Sequence, residues 1–186
     1  MIKENRYLDT VPLNRETARI AEHIIAEEGA HTFVNALYDN TLHIYYGEFR
    51  NDAERDMFEK LRRSPYRNYT KNCFRTEQEQ ILYLMVLALA AQIQRIYGRL
   101  QAELGQRIRI TTSPASEYPG YTYLKVYNPA AQKANMVEIL RQRTGVKQVV
   151  TVGSIPGAYD IFVNDDGGNS AVKAIKKLYE GGGIQP

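Results

Sequence analysis

Residues 77–104 read EQEQILYLMVLALAAQIQRIYGRLQAEL, and how this stretch divides decides the fold. Helix formers run through all of it, yet Ile81 to Ala91 is an unbroken apolar run of the kind a fully buried strand shows, and periodicity alone leaves strand and helix both open for residues 79–90. The second half is plainer. Ile93, Ile96, Tyr97, Leu100 and Leu104 keep a 3.6-residue repeat up to Gly105, which predicts an amphipathic helix. The apolar run is too short to span a bilayer, which takes about 20 residues.

Upstream, Asn14 precedes a helical pattern carrying Ile20, Ile24 and Ile25, with Gly29 as its stop. Two β-rich runs, residues 31–38 and 41–47, flank Asp39-Asn40 and predict a hairpin. A second helix starts at Asn51, sets Met57, Phe58 and Leu61 on one face and ends before Pro65. The tyrosine-rich stretch that follows, up to Cys73, reads as a loop or edge strand. Downstream, RIRITT (107–112) and YTYLKVY (121–127) alternate as half-exposed strands do, and they are expected to pair across SPASEYPG. A Pro, Ser and Gly cluster at 113–120 suggests a domain boundary there, giving domains 1–115 and 116–186. From residue 128 the pattern becomes α/β: a helix opened by Asn128-Pro129 and running to Gly145, the short strands KQVVTVG and YDIFV, and a basic helix NSAVKAIKKLYE. Because a parallel pair needs a crossover of about a dozen residues, the short SIPGA linker favours an antiparallel hairpin for the two strands. No repeat with a period of 20–50 residues is present.

Composition excludes some classes. The chain has 186 residues, 44% hydrophobic and 24% charged, with a net charge of +3. That profile suits a globular domain or two and excludes disordered and collagen-like chains, while the weak basic excess makes nucleic acid an unlikely partner on charge alone. No apolar leader opens the sequence, so the cytoplasm is the expected location and no membrane association is expected. Cys73 is the only cysteine, which forbids an internal disulfide, and His23, His31 and His43 lack the i, i+4 spacing of a helical metal pair. Cys73 lies beside Lys71 and Arg75 but has no base in sequence reach, and is expected to be structural.

Three segments carry a family resemblance. Lys133-Ala134-Asn135-Met136-Val137 looks like a K-G-N-A-L segment; the strand QVVTVG ends at Gly153, where a G-D-x-x-N-D string would begin; Gly168-Asn169-Ser170-Ala171-Val172-Lys173-Ala174 looks like a G-N-A…V-K-x-x-A helix. In that order they resemble the haloacid dehalogenase (HAD)-like superfamily, Cof type. The resemblance implies an α/β protein: a Cof-type cap with an antiparallel sheet and helices on one face, then the C-terminal segment of a truncated Rossmann-like core. It also implies Mg²⁺-dependent phosphate-ester hydrolysis, with Lys133 neutralising phosphate and Asp160, Asp165 and Asp166 as remnant Mg²⁺ ligands.

The departures from the pattern are chemical. The family nucleophile is the first aspartate of D-x-D-G-T, one carboxylate attacking phosphorus and the second serving as acid and base. By the resemblance that motif would precede Met1. The nearest string here, Leu37-Tyr38-Asp39-Asn40-Thr41-Leu42, puts leucine at the attacking position and reads as hairpin turn. After Gly153 the sequence is Ser154-Ile155-Pro156-Gly157-Ala158, without the acidic oxygens that Mg²⁺ prefers. Lys133 equally suits a solvated helix start, and Asn164-Asp165-Asp166-Gly167-Gly168 equally suits a turn. The expectation is a phosphatase homologue with a degenerate site, inactive alone, or else a non-catalytic ligand-binding or assembly module. A small phosphorylated metabolite is the expected ligand. The buried-type strand QVVTVG would leave an open edge, so a homo-oligomer or a partner chain is expected to cover it. Between Lys60 and Arg75, Arg62, Arg63, Arg67, Lys71 and Arg75 interleave with Tyr66, Tyr69 and Phe74, as in nucleic-acid sites, but also as on a solvated edge that attracts anions.

Overall fold

The computed structural model describes residues 2–3, 6–7, 9–65, 67–71, 77–147, 149–154, 159–164 and 169–180. They fall into two compact units, Met1–Asn135 and Met136–Pro186.

The first unit opens with a two-residue antiparallel ladder, β1 (Ile2–Lys3) and β2 (Arg6–Tyr7). Helix α1 (Arg15–Glu27) begins where Asn14 Oδ1 accepts the Thr17 N–H at 3.1 Å, satisfying one of the unpaired first-turn donors. Strands β3 (Phe33–Tyr38) and β4 (Thr41–Tyr46) turn at Asp39 and Asn40, whose φ angles of 44° and 58° are both left-handed. Asp and Asn tolerate that region better than most residues, and such two-residue turns match strand twist. Helix α2 (Asp52–Leu61) starts where Asn51 Oδ1 accepts the Glu54 N–H at 2.8 Å. It serves as the crossover that lets β5 (Asn68–Lys71) lie parallel to β4.

The undecided stretch divides cleanly: β6 (Gln80–Leu89) is a strand and α3 (Ala90–Leu104) a helix. β6 sits inside a six-stranded sheet ordered β5-β4-β3-β6-β8-β7, where β7 is Arg109–Pro114 and β8 Tyr121–Tyr127. Both of its faces are covered, which is why its sequence does not alternate. Ile81, Leu84, Val86 and Ala88 join one core and Leu87 the other. The register against β3 slips by one residue at Asn35/Ala36, which keeps Ile81 and Leu84 on one face.

Helices α1 and α3 cover the first face, burying Ile24, Ile25, Ile93, Ile96 and Leu100 in a single cluster. α2 lies against the other face and packs Ala53 and Met57 on Phe33, Ile44 and Leu87. Helices therefore flank both faces of the sheet, the larger layer on one. The cluster at 113–120 is the connection of the β7–β8 hairpin, held by Ala115 N–H to Tyr121 O at 3.0 Å. Turn residues mark a chain reversal whether it joins domains or strands, so the division falls instead at Asn135/Met136.

In the second unit, α4 (Lys133–Thr144), which begins in the first, leads to β9 (Val152–Gly153), β10 (Ile161–Phe162) and α5 (Ser170–Glu180). α4 starts later than Asn128-Pro129 because Asn128 Oδ1 accepts the Ala130 N–H at 2.8 Å, a local turn that competes with helix. β9 and β10 are parallel, with Ile161 opposite Val152, and not the expected antiparallel hairpin. The dozen-residue rule describes strands of ordinary length. A two-residue ladder needs a return of only about 7 Å along the strand and about 5 Å sideways, within reach of the residue 154–160 connection. Among the described residues, no helix is long and apolar enough to cross a membrane.

Candidate functional site

Of the residues singled out in the sequence, Lys133 stands at the first turn of α4, exposed and within the first unit. Asp160 belongs to the second unit. Its Oδ2 accepts the Thr151 N–H at 2.8 Å and the Thr151 hydroxyl at 2.7 Å, while its own N–H donates to Thr151 Oγ1 at 3.0 Å. The Thr151 backbone N–H, with the Thr151 hydroxyl next, holds the Asp160 carboxyl below its ordinary range. This clamp aligns the ladder, in which Ile161 N–H donates to Thr151 O and Val163 N–H to Gly153 O, both at 3.0 Å. The ring of Tyr159 lies so near Gly153 that a Cβ there would fall 2.3 Å from it, which accounts for glycine at the end of β9.

Asp165, Asp166, Gly167 and Gly168 lie outside the described residues. Asp160 spends one oxygen on Thr151, and among the described residues no three His, Cys, Asp or Glu side chains are gathered to hold a metal. The described residues thus do not make a Mg²⁺ site.

The first unit holds an arrangement that requires the register of the whole sheet. Tyr69, Ile44, Asn35, Tyr83, Tyr127 and Arg109 are partners in succession across β5, β4, β3, β6, β8 and β7, so they form one row on one face. Along β8 the alternation places Tyr121, Tyr123, Lys125 and Tyr127 on that same face, with Leu124 and Val126 buried behind. The Tyr83 and Tyr127 rings lie 5.3 Å apart; the Arg109 guanidinium sits 5.4 Å from the Tyr127 ring centre and the Lys125 ammonium 6.0 Å from that of Tyr83. Arg109 also donates to Ala131 O at 2.9 Å. No carboxylate among the described residues pairs with Arg109 or Lys125.

Burial first, and the neighbouring Tyr127 next, push the Tyr83 phenol up to about 12. Burial raises Tyr127 as well, against the lowering effect of Thr111 and Arg109. These phenols stay protonated at neutral pH, so they donate and accept hydrogen bonds and do not serve as bases. Two unpaired cations among neutral hydroxyls and ring faces suit an anion attached to a ring.

His31 and Glu54 form a buried pair that the sequence reading missed, because they are 23 positions apart and both lie in otherwise apolar surroundings. His31 Nε2 accepts the Gly47 N–H at 2.8 Å, which leaves the ring proton on Nδ1, 3.6 Å from Glu54 Oε2. Glu54 Oε2 also accepts the Arg50 N–H at 2.7 Å. The His31 ring packs against those of Phe33 and Phe49, at 4.5 and 5.9 Å between ring centres, and the pair ties β3 to the start of α2.

The basic segment changes character in three dimensions. Lys60 pairs with Asp56 at 2.5 Å, Arg62 with Glu59 at 2.7 Å and Lys71 with Glu48 at 2.6 Å. Tyr66, Cys73, Phe74 and Arg75 lie outside the described residues. The segment borders a cleft of about 520 Å³ along β5.

No family model matches the sequence, and no curated protein is similar enough to it to match. Solved structures do match. A haloacid dehalogenase-like hydrolase from Bacteroides thetaiotaomicron superposes with a TM-score of 0.63 at 13% identity, over 90% of this chain and 68% of that one. The Thermotoga maritima protein TM0651 gives 0.58 at 16% identity, over 88% and 67%. A haloacid dehalogenase-like hydrolase from B. subtilis gives 0.52 at 9% identity, over 73% and 52%. At these identities the likeness concerns architecture: the chain has the fold of the haloacid dehalogenase-like hydrolases.

Proposed function

We propose that the chain is a HAD-like hydrolase homologue comprising a Cof-type cap and the core segment that follows it, and that it binds a small phosphorylated metabolite without hydrolysing it unaided. The observation that carries the reading is the superposition on HAD-like hydrolases over 90% and 88% of this chain, in a sequence of 186 residues that holds no D-x-D string. These 186 residues lack the D-x-D pair whose first carboxylate would attack phosphorus and whose second would shuttle the proton. Lys133 neutralises the phosphate in this reading, as the family resemblance implies. The reading puts the protein in the cytoplasm, the compartment of phosphorylated metabolites.

The test pairs thermal shift with turnover. Phosphate monoesters of several classes, with and without Mg²⁺, should raise the melting temperature while releasing no inorganic phosphate. Release at a steady rate overturns the inactive reading; the absence of any shift overturns phosphate binding. An assembly role has its own support: Leu140, Val150, Phe162, Val172 and Ile175 in the second unit are all 38–62% exposed. Were these side chains contiguous, they would form the kind of apolar patch that marks an association surface. Sedimentation velocity over a hundred-fold concentration range would report the dimer or the monomer directly.

A further inference from the structure

The cleft along β5 is unused by the reading above, and its roughly 520 Å³ lies within the size of sites that hold small molecules. Tyr46, Phe58, Arg62, Arg67, Asn68 and Tyr69 border it. Its aromatic members touch: Tyr46 and Phe58 have ring centres 4.6 Å apart, and Phe58 and Tyr69 5.4 Å apart. The Arg62 guanidinium stands 5.7 Å from the Phe58 ring centre, its charge answered by Glu59. Arg67 borders the cleft two residues from Tyr69, and no carboxylate among the described residues pairs with it. β5 is the last strand of the sheet, so the backbone groups on its outer side have no sheet partner among the described residues.

These features fit one ligand chemistry. Aromatic and guanidinium planes accept a flat ring by stacking, and edge-strand N–H and C=O groups that lack a sheet partner among the described residues offer hydrogen bonds to that ring's polar rim. One uncompensated guanidinium with donors to spare accepts one phosphate. We propose that this cleft binds a mononucleotide, its phosphate on Arg67 and its base against Tyr69 and Phe58. A polynucleotide is disfavoured by the charge count, because Lys60, Arg62 and Lys71 are each taken up by an acidic neighbour. The proposal does not depend on any role for Lys133 or Asp160.

Calorimetric titration of the whole chain with adenosine 5′-monophosphate, ribose 5-phosphate and an octa-adenylate tests it. The mononucleotide should bind at least about ten-fold more tightly than the sugar phosphate, since base stacking of this kind is worth an order of magnitude or more. Arg67→Gln and Tyr69→Ala should each weaken it by about ten-fold. Arg67 is at the surface, so its variant keeps the test valid even if the Tyr69 variant folds poorly. Equal binding of both small phosphates, or an Arg67→Gln variant with undiminished affinity, overturns the proposal while leaving phosphate binding elsewhere intact. Preference for the octamer with a slope steeper than about −3 overturns it in favour of a nucleic-acid track.

Discussion

Tyr83 should make the protein lose stability in alkali over a window set by its burial. Its phenol titrates near 12 in the fold, against about 10 in the unfolded chain. The folded state therefore holds this proton more tightly. The contribution is fully present below pH 10 and is lost as pH rises from 10 through 12, where the unfolded chain ionises first. Two pH units correspond to about 3 kcal/mol, from about 1.4 kcal/mol for each. The comparison is between the wild type and Tyr83→Phe, which keeps the ring and removes the ionisation. Urea unfolding at pH 9 and at pH 11.5 should show the wild type losing about 2 kcal/mol more than the variant over that span. Lysines and the tyrosines remote from Tyr83 affect both proteins alike and cancel in the difference, and the absorbance titration follows Tyr127, whose ring lies 5.3 Å away, in each protein separately. Absorbance at 295 nm gives the second readout: the latest-ionising tyrosine should vanish in the variant. If the two proteins lose stability in parallel, or if Tyr83 ionises with the exposed phenols near pH 10, then water reaches its hydroxyl. The assignment of a half-buried tyrosine row on the sheet would then be refuted.

Leu84→Ala and Leu87→Ala should each cost about 2–5 kcal/mol, because both side chains are wholly buried. Since they point into opposite cores, the double variant measured in a stabilising osmolyte should be additive to within about 0.5 kcal/mol; coupling above 1 kcal/mol would contradict the strand assignment of β6. Asn51→Ala removes both the cap on Glu54 N–H and a donor to Leu87 O at 3.1 Å, and should lower the melting temperature by about 2–6 °C; an unchanged melting point would count against the cap. Asp160→Asn should speed amide hydrogen exchange at Ile161 and Val163. In the wild type the clamp's contribution holds above the carboxylate range and fades as acid takes the pH down through the depressed value, so acid should reproduce the variant's exchange rates.

Local signals were legible where local chemistry decides. Asn14 and Asn51 cap helices, and Asp39-Asn40 takes two left-handed conformations, as their side chains allow. β6 was not, because a strand covered on both faces loses the alternation that identifies strands, and Ile81 to Ala91 satisfies a buried helix equally well. The 113–120 cluster was read as a boundary since turn residues do not report what they connect. The direction of β10 followed from a rule for longer strands. The basic stretch at 60–75 was visible as charge, but its neutralisation by Glu48, Asp56 and Glu59 depends on side-chain geometry. The row from Tyr69 to Arg109 could not be seen at all, as it joins six strands spread over residues 33–127 by register alone.

The second unit has a consequence for how the chain comes apart. Among the described residues every buried side chain lies at or before Val126, and none belongs to residues 136–180. A segment of about fifty residues, none of whose described side chains is buried, lies close to the lower size limit of an independent fold. It should open as a separate cooperative unit at low free-energy cost, while the sheet and its helices stay shut. Brief exposure to a protease that cuts after lysine or arginine, at a ratio too low to attack α1 or α3, should trim the chain back towards Asn135. A ligand or partner that orders the tail would then be recognised by the lengthened half-life of the intact chain.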